Sequence, residues 1–264
     1  MKGNNFDEFG CSYLAEWISK DKSLTKLNIS RNQIEEDGAF LLFNALKSNS
    51  TLLSLKACSL NAFQFSRKLN DDFFAIKKIL GCLKKNCTLK ELNLSRNKLG
   101  VVGAKKLSSY LKENTSLKTL VLDSVDMDPT AIICISEALK VNSTLTSLSI
   151  NFNDISDEAK QHLIEALRVN NSLLVLKKSF SSRSIDSLIQ ANNKCTKLYK
   201  KAKLTMAVLH KSKGNLVATL PKYVLRHILS FLKAEKNWRE IRLSGGKYTS
   251  KLTSTLADIE QIHV

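Results

Sequence analysis

Cysteine and histidine are the residues of this chain best suited to bind a metal or act as a nucleophile, and their spacing supports neither role. The four histidines share no metal-ligand spacing with the six cysteines, and Cys82 and Cys87 flank the end of a predicted helix. The sequence contains neither a phosphate-binding glycine loop nor a nucleophile elbow. We therefore expect no metal site, no cofactor and no enzyme activity.

The sequence also bears on the compartment of the protein. At least four cysteines fall at or next to apolar repeat positions, where a thiol packs as a small hydrophobic group. Residues 1–8 contain acidic side chains where a secretory signal needs an apolar core, and no later run of about 18 apolar residues could span a bilayer. We expect a soluble protein without a signal peptide, with its cysteines reduced.

Basic residues are concentrated near the C-terminus. The net charge is +17, and residues 177–213 carry ten basic side chains against one acidic, Asp186. Apolar residues in this region keep a helical spacing, so the charge is predicted to lie on helices. The basic patch is either the solvated outer face of those helices or a surface that attracts an anionic membrane or an acidic protein; it comprises Lys194, Lys197, Lys200, Lys201 and Lys203. Nucleic acid is disfavoured because no basic groove with interleaved aromatic residues is present.

Apolar residues that recur at a fixed interval indicate the elements that position these side chains. Repeat units begin at Leu24, Leu52, Leu89, Leu117, Leu145 and Leu173, at intervals of 28 residues except for one of 37. Within each unit, the apolar residues at positions one, four and six predict a short strand. The apolar residues that follow are spaced at i and i+4, which predicts a helix. The repeats are predicted to span residues 23–176 in five to six units, with the insertion near residues 61–70.

Asparagine recurs at two places in each unit. Position nine is asparagine in three units, where its amide can bond the turn after the strand, but Leu60 and Val125 replace it in the second and fourth units. Those two turns are predicted to be looser, or to have their backbone hydrogen bonds made by other partners. A second column precedes each new unit and is predicted to form left-handed helix C-caps; it comprises Asn49, Asn86, Asn114, Asn142 and Asn170.

The chain before and after the repeats is predicted to be helical. Residues 1–22 place Gly10, Leu14, Trp17 and Ile18 in the helix register without a preceding strand, which predicts an N-terminal helical cap. Residues 177–264 are predicted to form a basic α-helical C-terminal extension. The regular pattern ends where Lys178 occupies the sixth position of its unit, which is apolar elsewhere.

These residues resemble the leucine-rich repeats of the ribonuclease-inhibitor-like subfamily, which share the LxxLxLxxNxI strand, the G-A-xx-L-xx-A-L helix and the 28-residue period. The resemblance covers about residues 9–176 and implies an α/β fold, a right-handed β/α horseshoe with a parallel sheet on the concave face and helices on the convex face. Because that family includes inhibitors, immune sensors, GTPase activators and bacterial effectors, it implies protein binding in general and no particular partner.

The concave face is where such a fold usually binds its partner. Positions three, five, seven and eight of each unit are expected to point outward there, and most are small and neutral. Arginine and aromatic residues anchor interfaces more often than other types. The candidate partner-binding residues are Arg31, Lys56, Arg96, Asp123 and Phe152. The alternative is a solvated sheet face, and we expect a monomer in either case.

A last motif suggests a narrower function. The stretch from Leu220 to Leu232 resembles the LPxxxLxxIxSFL opening of an F-box, which would contact a cullin-type ubiquitin ligase through Leu220, Pro221, Leu225, Ile228 and Leu232. Residues 233–264 are too few for the rest of an F-box, so the alternative is a helix that packs on the last repeat. With the richness in lysine and asparagine, the sequence also resembles a secreted effector of an intracellular bacterium. Such an effector would bind a host protein in the host cytoplasm, recruit a ubiquitin ligase as an adaptor, or regulate a GTPase or nuclease.

Overall fold

The computed structural model describes residues 2–4, 7–32, 34–60 and 74–211. The chain divides into two compact units, Met1–Asn193 and Lys194–Val264. Strands and helices alternate along the described residues in the order α1 (Glu8–Lys20), β1 (Lys26–Asn28), α2 (Glu36–Ala45), β2 (Ser54–Lys56), α3 (Phe74–Leu83), β3 (Glu91–Asn93), α4 (Gly100–Glu113), β4 (Thr119–Val121), α5 (Pro129–Leu139), β5 (Ser147–Ser149), α6 (Asp157–Val169), β6 (Val175–Lys177) and α7 (Arg183–Lys211).

The strands form one parallel sheet whose spatial order, β1 to β6, follows the sequence. Each strand pairs with the next in the register set by the repeat, so the leucines at position four align across the sheet. Five of these leucines are buried, Leu27, Leu55, Leu92, Leu120 and Leu148. This arrangement confirms the predicted alternation of strand and helix.

The helices cover the other side of the core. The residues predicted at i and i+4 to face inward are all buried: Leu42, Leu46, Ile79, Leu83, Leu107, Leu111, Ile135, Leu139, Leu163 and Leu167. At the start of α2, a Cβ atom on Gly38 would lie 2.9 Å from the Cys11 sulfur of α1. Glycine at this position therefore lets the first two helices approach closely.

The asparagine column does not form left-handed caps, so that prediction is wrong. Asn114 and Asn170 are extended, with φ of −77° and −86°, and the left-handed residues of the chain lie elsewhere. Instead the side chains join neighbouring repeats. The Asn170 amide donates to the carbonyls of Leu139 at 2.7 Å and Asn142 at 2.8 Å, while its oxygen accepts from two backbone N–H groups of its own turn.

This asparagine ladder, Asn49, Asn86, Asn142 and Asn170, repeats the same contacts between successive units. Asn114 departs from it, because its amide donates to the Tyr110 hydroxyl at 2.9 Å. At the C-terminal end Asn192 of α7 extends the ladder by donating to the carbonyls of Asn170 and Leu173. No pattern in the sequence points to Asn192, since it lies on a helix outside the repeat register.

The turns that lack asparagine are satisfied from the following unit. The Asn97 oxygen accepts from the Leu60 N–H at 2.9 Å, and its amide donates to the carbonyl of Ala57 at 2.8 Å. Asn153 supports Val125 in the same way at 3.1 Å. The prediction that these turns are differently satisfied is therefore confirmed, and Asn97 and Asn153 each serve two units.

The two ends of the repeat region differ. In α1 the Asp7 side chain caps the helix by accepting from the Gly10 N–H at 2.8 Å, and Leu14 and Ile18 are buried. Trp17 was expected on the same inward face, but it is 42% exposed. At the other end Lys178 lies in the apolar sixth position, where its ammonium is 3.0 Å from the Asp186 carboxylate of α7.

Within the part of the chain that the structure describes, no helix combines the length and apolar character needed to cross a bilayer.

Candidate protein-binding surface

A row of five turn residues follows the carboxyl ends of the first five strands. Each member, Arg31, Ser59, Arg96, Ser124 and Phe152, occupies position eight of its unit, and each has φ between 54° and 58°. We call this set the turn row. Residues other than glycine and asparagine rarely adopt this left-handed backbone conformation, which costs roughly 1–2 kcal/mol per residue. The repeat imposes the conformation, so the row presents five side chains at fixed positions.

Backbone hydrogen bonds to the next unit hold the turn row. The Arg31 N–H donates to the Cys58 carbonyl at 2.9 Å, and the Arg96 N–H donates to the Asp123 carbonyl at 2.9 Å. The Phe152 N–H instead donates to the Ser179 hydroxyl at 3.0 Å. Because every backbone N–H in the row is bonded, the side chains are left as the groups that a partner could contact.

Large and small side chains alternate along the turn row. Arg31, Arg96 and Phe152 are exposed, and Ser59 and Ser124 lie between them. Phe152 is 76% exposed, among the most exposed large apolar side chains of the described residues. Neighbouring strands are about 4.8 Å apart, so the three large side chains follow one another along the row at intervals of about 10 Å. The spacing leaves a gap above each serine.

The charge around the row is positive. Lys56 is exposed on β2, and none of the described residues forms an ion pair with Lys56, Arg31 or Arg96. The acidic Glu91 of β3 is engaged by the Ser54 hydroxyl, which donates to it at 2.8 Å. Together with Lys26, the side chains of Arg31, Lys56 and Arg96 give this face more positive than negative charge.

Asp123, the fifth candidate, supports the row. It is half-buried, and its Oδ1 accepts from the Ser149 hydroxyl at 2.6 Å and from the Asn151 N–H at 2.8 Å. Serines perform the same task in other units, since the Ser30 hydroxyl accepts from the Cys58 N–H at 3.1 Å. The structure thus gives Asp123 a role in turn geometry.

Four small residues of the concave face are not outward, as they were expected to be. Ser30, Ser54, Ser95 and Ser149 are buried, because they lie low between larger neighbours and bond the adjacent strand or turn. The accessible part of this face is therefore narrower than the sequence suggested. It consists mainly of the turn row and of long side chains such as Lys56.

The remaining predicted residues lie on α7, after the repeats, or outside the described residues. Lys194 and Lys197 are exposed on α7, and Lys200, Lys201 and Lys203 fall within the same helix. The insertion at residues 61–70 and the F-box-like residues Leu220, Pro221, Leu225, Ile228 and Leu232 lie outside the described residues.

The described residues contain no group of three or more His, Cys, Asp or Glu side chains that could hold a metal ion. Burial raises the pKa of the Cys82 thiol, which keeps it protonated and unreactive. Burial likewise raises the pKa of the Tyr110 hydroxyl. Both pKa shifts concern core residues, and these residues lie away from the turn row.

Comparison with known proteins identifies the type of fold. Residues 20–43, 85–108 and 141–159 match the family described as Leucine Rich repeat. The chain is similar to actin-binding site 2 of leiomodin-1, with a TM-score of 0.52 and 18% identity over 65% of this chain and 96% of that one. The fold is therefore the α/β leucine-rich-repeat horseshoe, and the predicted fold class is confirmed.

Two other solved structures are more distantly similar. The tropomodulin C-terminal domain from Caenorhabditis elegans gives a TM-score of 0.48 at 13% identity, covering 74% of this chain and 98% of that one. The TLR13 chain of a complex with the single-stranded RNA ssRNA13 gives a TM-score of 0.35 at 17% identity, covering 62% of this chain and 24% of that one.

Proposed function

We propose that this protein is a non-enzymatic protein-interaction module that binds an acidic partner through the turn row. The observation that carries this proposal is the alternation of exposed Arg31, Arg96 and Phe152 with small serines at identical left-handed positions. Asparagine or glycine would fit this conformation with less strain. Large side chains kept at strained positions are typical of functional sites, where their contacts offset the cost.

The chemistry of the row defines the partner. Two arginines about 10 Å apart fit two carboxylates with the same separation, and each guanidinium can bind a carboxylate through two parallel hydrogen bonds. Phe152 supplies an exposed apolar anchor at the end of the row. The unpaired Lys56 adds a further cation. A partner with an acidic segment followed by an apolar side chain matches this order.

The proposal is tested by capture of partner proteins on the full-length chain. A triple variant, Arg31→Asn, Arg96→Asn and Phe152→Asn, removes the three large side chains while asparagine keeps the left-handed turns. The control variant, Lys105→Gln, Lys106→Gln and Val141→Asn, removes two exposed cations and one exposed apolar residue away from the sheet. We expect the recovery of a true partner to fall about tenfold or more with the first variant and to stay unchanged with the control. Equal recovery with both variants would overturn the proposal.

Purified actin is the first candidate partner to include in this experiment. The similar leiomodin-1 structure is that of an actin-binding site, and its fold resembles the present one. We expect binding of purified actin to this chain, if it occurs through the turn row, to be lost in the triple variant alone. Actin that binds the triple variant as well as the wild type would exclude this site for actin.

A narrower proposal concerns the setting in which the partner is found. We propose that the partner is a host protein and that the chain acts as an effector, on the strength of the lysine and asparagine content and the Leu220–Leu232 motif. An adaptor for a ubiquitin ligase is the alternative. In the same capture from host lysate, recovered cullin components that disappear with Leu225→Asp and Ile228→Asp would favour the adaptor, and their absence with the wild type would reject it.

The positively charged residues 177–213 form a second candidate contact region. Lys194 and Lys197 are exposed, and residues 177–213 carry most of the local positive charge. We propose that this region strengthens attraction to an acidic protein or an anionic membrane surface. Such an attraction weakens as salt is added, because screening shortens the range of exposed charges.

A further inference from the structure

The asparagine ladder coincides with a recurring modification motif. Each asparagine of the ladder, and Asn114 with them, is followed two residues later by serine or threonine, with no proline between. Asn-X-Ser/Thr is the acceptor motif for N-linked glycosylation, which normally lies on a surface loop of a secreted protein. The five motifs begin at Asn49, Asn86, Asn114, Asn142 and Asn170. Their positions in the fold decide whether an oligosaccharide could be attached there.

The atom that would carry the sugar already forms two hydrogen bonds in each ladder asparagine. Nδ2 of Asn170 donates to the carbonyls of Leu139 at 2.7 Å and Asn142 at 2.8 Å. The amides of Asn49, Asn86 and Asn142 form equivalent pairs of bonds to the preceding unit. Glycosylation replaces one hydrogen of Nδ2 by a sugar, so one bond of each pair would be lost.

The surroundings of the ladder also leave no room for a sugar. All four ladder asparagines are buried, with at most 4% of each residue exposed. Their amides lie between the ends of successive helices, because the accepting carbonyls belong to the helix end and turn of the preceding unit. A packed interior tolerates few extra atoms without displacing its neighbours. A glycan at the ladder and the stacking of the units are therefore mutually exclusive.

The third residue of the motif has a structural role of its own. The Asn142 amide and the Thr144 hydroxyl both donate to the Asn114 carbonyl, at 3.2 and 3.1 Å. The Asn170 amide and the Ser172 hydroxyl repeat this arrangement at the Asn142 carbonyl, at 2.8 and 3.3 Å. The motif thus supplies two donors that reach one carbonyl of the preceding unit. Its recurrence follows from the repeat and needs no glycan to explain it.

We propose that the ladder motifs are glycosylation acceptors that only the unfolded chain exposes, so that this chain folds only where N-glycosylation does not reach it. In a eukaryotic cell, oligosaccharyltransferase acts on chains as they enter the endoplasmic reticulum, before distant units have stacked. It joins Nδ2 to the first sugar, with loss of an amide hydrogen and release of the pyrophosphate-linked lipid that carried the oligosaccharide. The inference does not depend on the turn row. It restricts the partner to proteins met outside the lumen of the secretory pathway.

Expression of the full-length chain in mammalian cells, with and without an added N-terminal signal peptide, tests the proposal. Without the signal peptide, we expect a chain of unchanged mass that resists limited proteolysis. With it, we expect a gain in mass that peptide-N-glycosidase removes, together with loss of protease resistance. Tunicamycin blocks synthesis of the oligosaccharide donor and should restore resistance in the same lumen. A fully glycosylated chain as resistant as the first form, or no recovery with tunicamycin, overturns the proposal.

Mapping of the glycans tests the role of the ladder itself. Peptide-N-glycosidase converts each glycosylated asparagine to aspartate, which mass spectrometry identifies. Two further motifs begin at Asn28 and Asn93, which are partly exposed and bond their own turns through the side-chain oxygen. These two positions provide the comparison within one molecule. In the protease-resistant fraction of the chain made with the signal peptide, we expect no conversion at the ladder, whether or not Asn28 and Asn93 are converted. Conversion of ladder asparagines in that fraction overturns the proposal.

Discussion

At the scale of single residues, the repeat region depends on asparagines whose partners belong to other repeats. The Asn170 side chain is buried and forms four hydrogen bonds with backbone groups, two of them to carbonyls of the preceding unit. A buried backbone group left without a partner costs about 1–3 kcal/mol. One side chain therefore contributes to the join between two units as well as to its own turn.

We predict that Asn170→Ala lowers the free energy of unfolding by about 2–4 kcal/mol, because several buried backbone groups lose their partners at once. Urea denaturation followed by circular dichroism measures the change. The neighbouring Asn171 is exposed, so Asn171→Ala should shift the free energy by less than about 0.5 kcal/mol. Equal effects of the two substitutions would mean that the ladder does not stabilise the repeat region.

The positions of these asparagines could be predicted from the sequence, but their conformation could not. The recurrence of Asn49 to Asn170 marks the same point in each unit, and helix ends often adopt the left-handed conformation. The structure shows extended backbone at Asn114 and Asn170, and their backbone N–H groups bond the carbonyls of Tyr110 and Ala166 in their own helices. The carbonyls that accept from the ladder side chains lie about one repeat away in sequence, so local rules cannot identify them.

At the scale of strands and helices, the period of the repeat predicts the core well. The i and i+4 leucines are buried and the strands pair in register, because each unit buries its apolar face against a nearly identical neighbour. The prediction fails where a neighbour is missing. Trp17 occupies a buried register position and is 42% exposed, since no described helix precedes α1.

The C-terminal end of the repeat is closed by an ion pair between β6 and α7. The Lys178 side chain is 9% exposed, and its ammonium lies 3.0 Å from Asp186 and 5.2 Å from the centre of the Phe180 ring. The equivalent positions in earlier units, such as Leu122 and Ile150, are apolar and buried. Lysine is acceptable at this position because the neighbouring carboxylate and ring compensate its charge.

We predict that Asp186→Asn lowers the free energy of unfolding by about 1–2 kcal/mol, less than for a fully buried pair because Asp186 is 64% exposed. Adding Lys178→Met should restore stability to at least that of the wild type, since an apolar side chain then fills the apolar column. Urea denaturation of the single and double variants measures both effects. A double variant less stable than Asp186→Asn would show that Lys178 contributes something other than its paired charge.

At the scale of the whole protein, the net charge of +17 sets the salt dependence of binding. Binding of an acidic partner at the turn row should weaken as salt is added, because the attraction is screened. The composition predicts a basic protein. It does not predict that Ser54 hydrogen-bonds Glu91 or that Asp123 supports a turn, because these contacts join different repeat units.

The central claim is that a partner covers the turn row, and hydroxyl-radical footprinting of the complex tests it most directly. Phe152 and Tyr13 are both 76% exposed, so the two aromatic side chains provide a matched pair in one molecule. Partner binding should reduce oxidation of Phe152 several-fold and leave oxidation of Tyr13 unchanged. Oxidation of Phe152 at the same rate in the free and bound protein would contradict the claim.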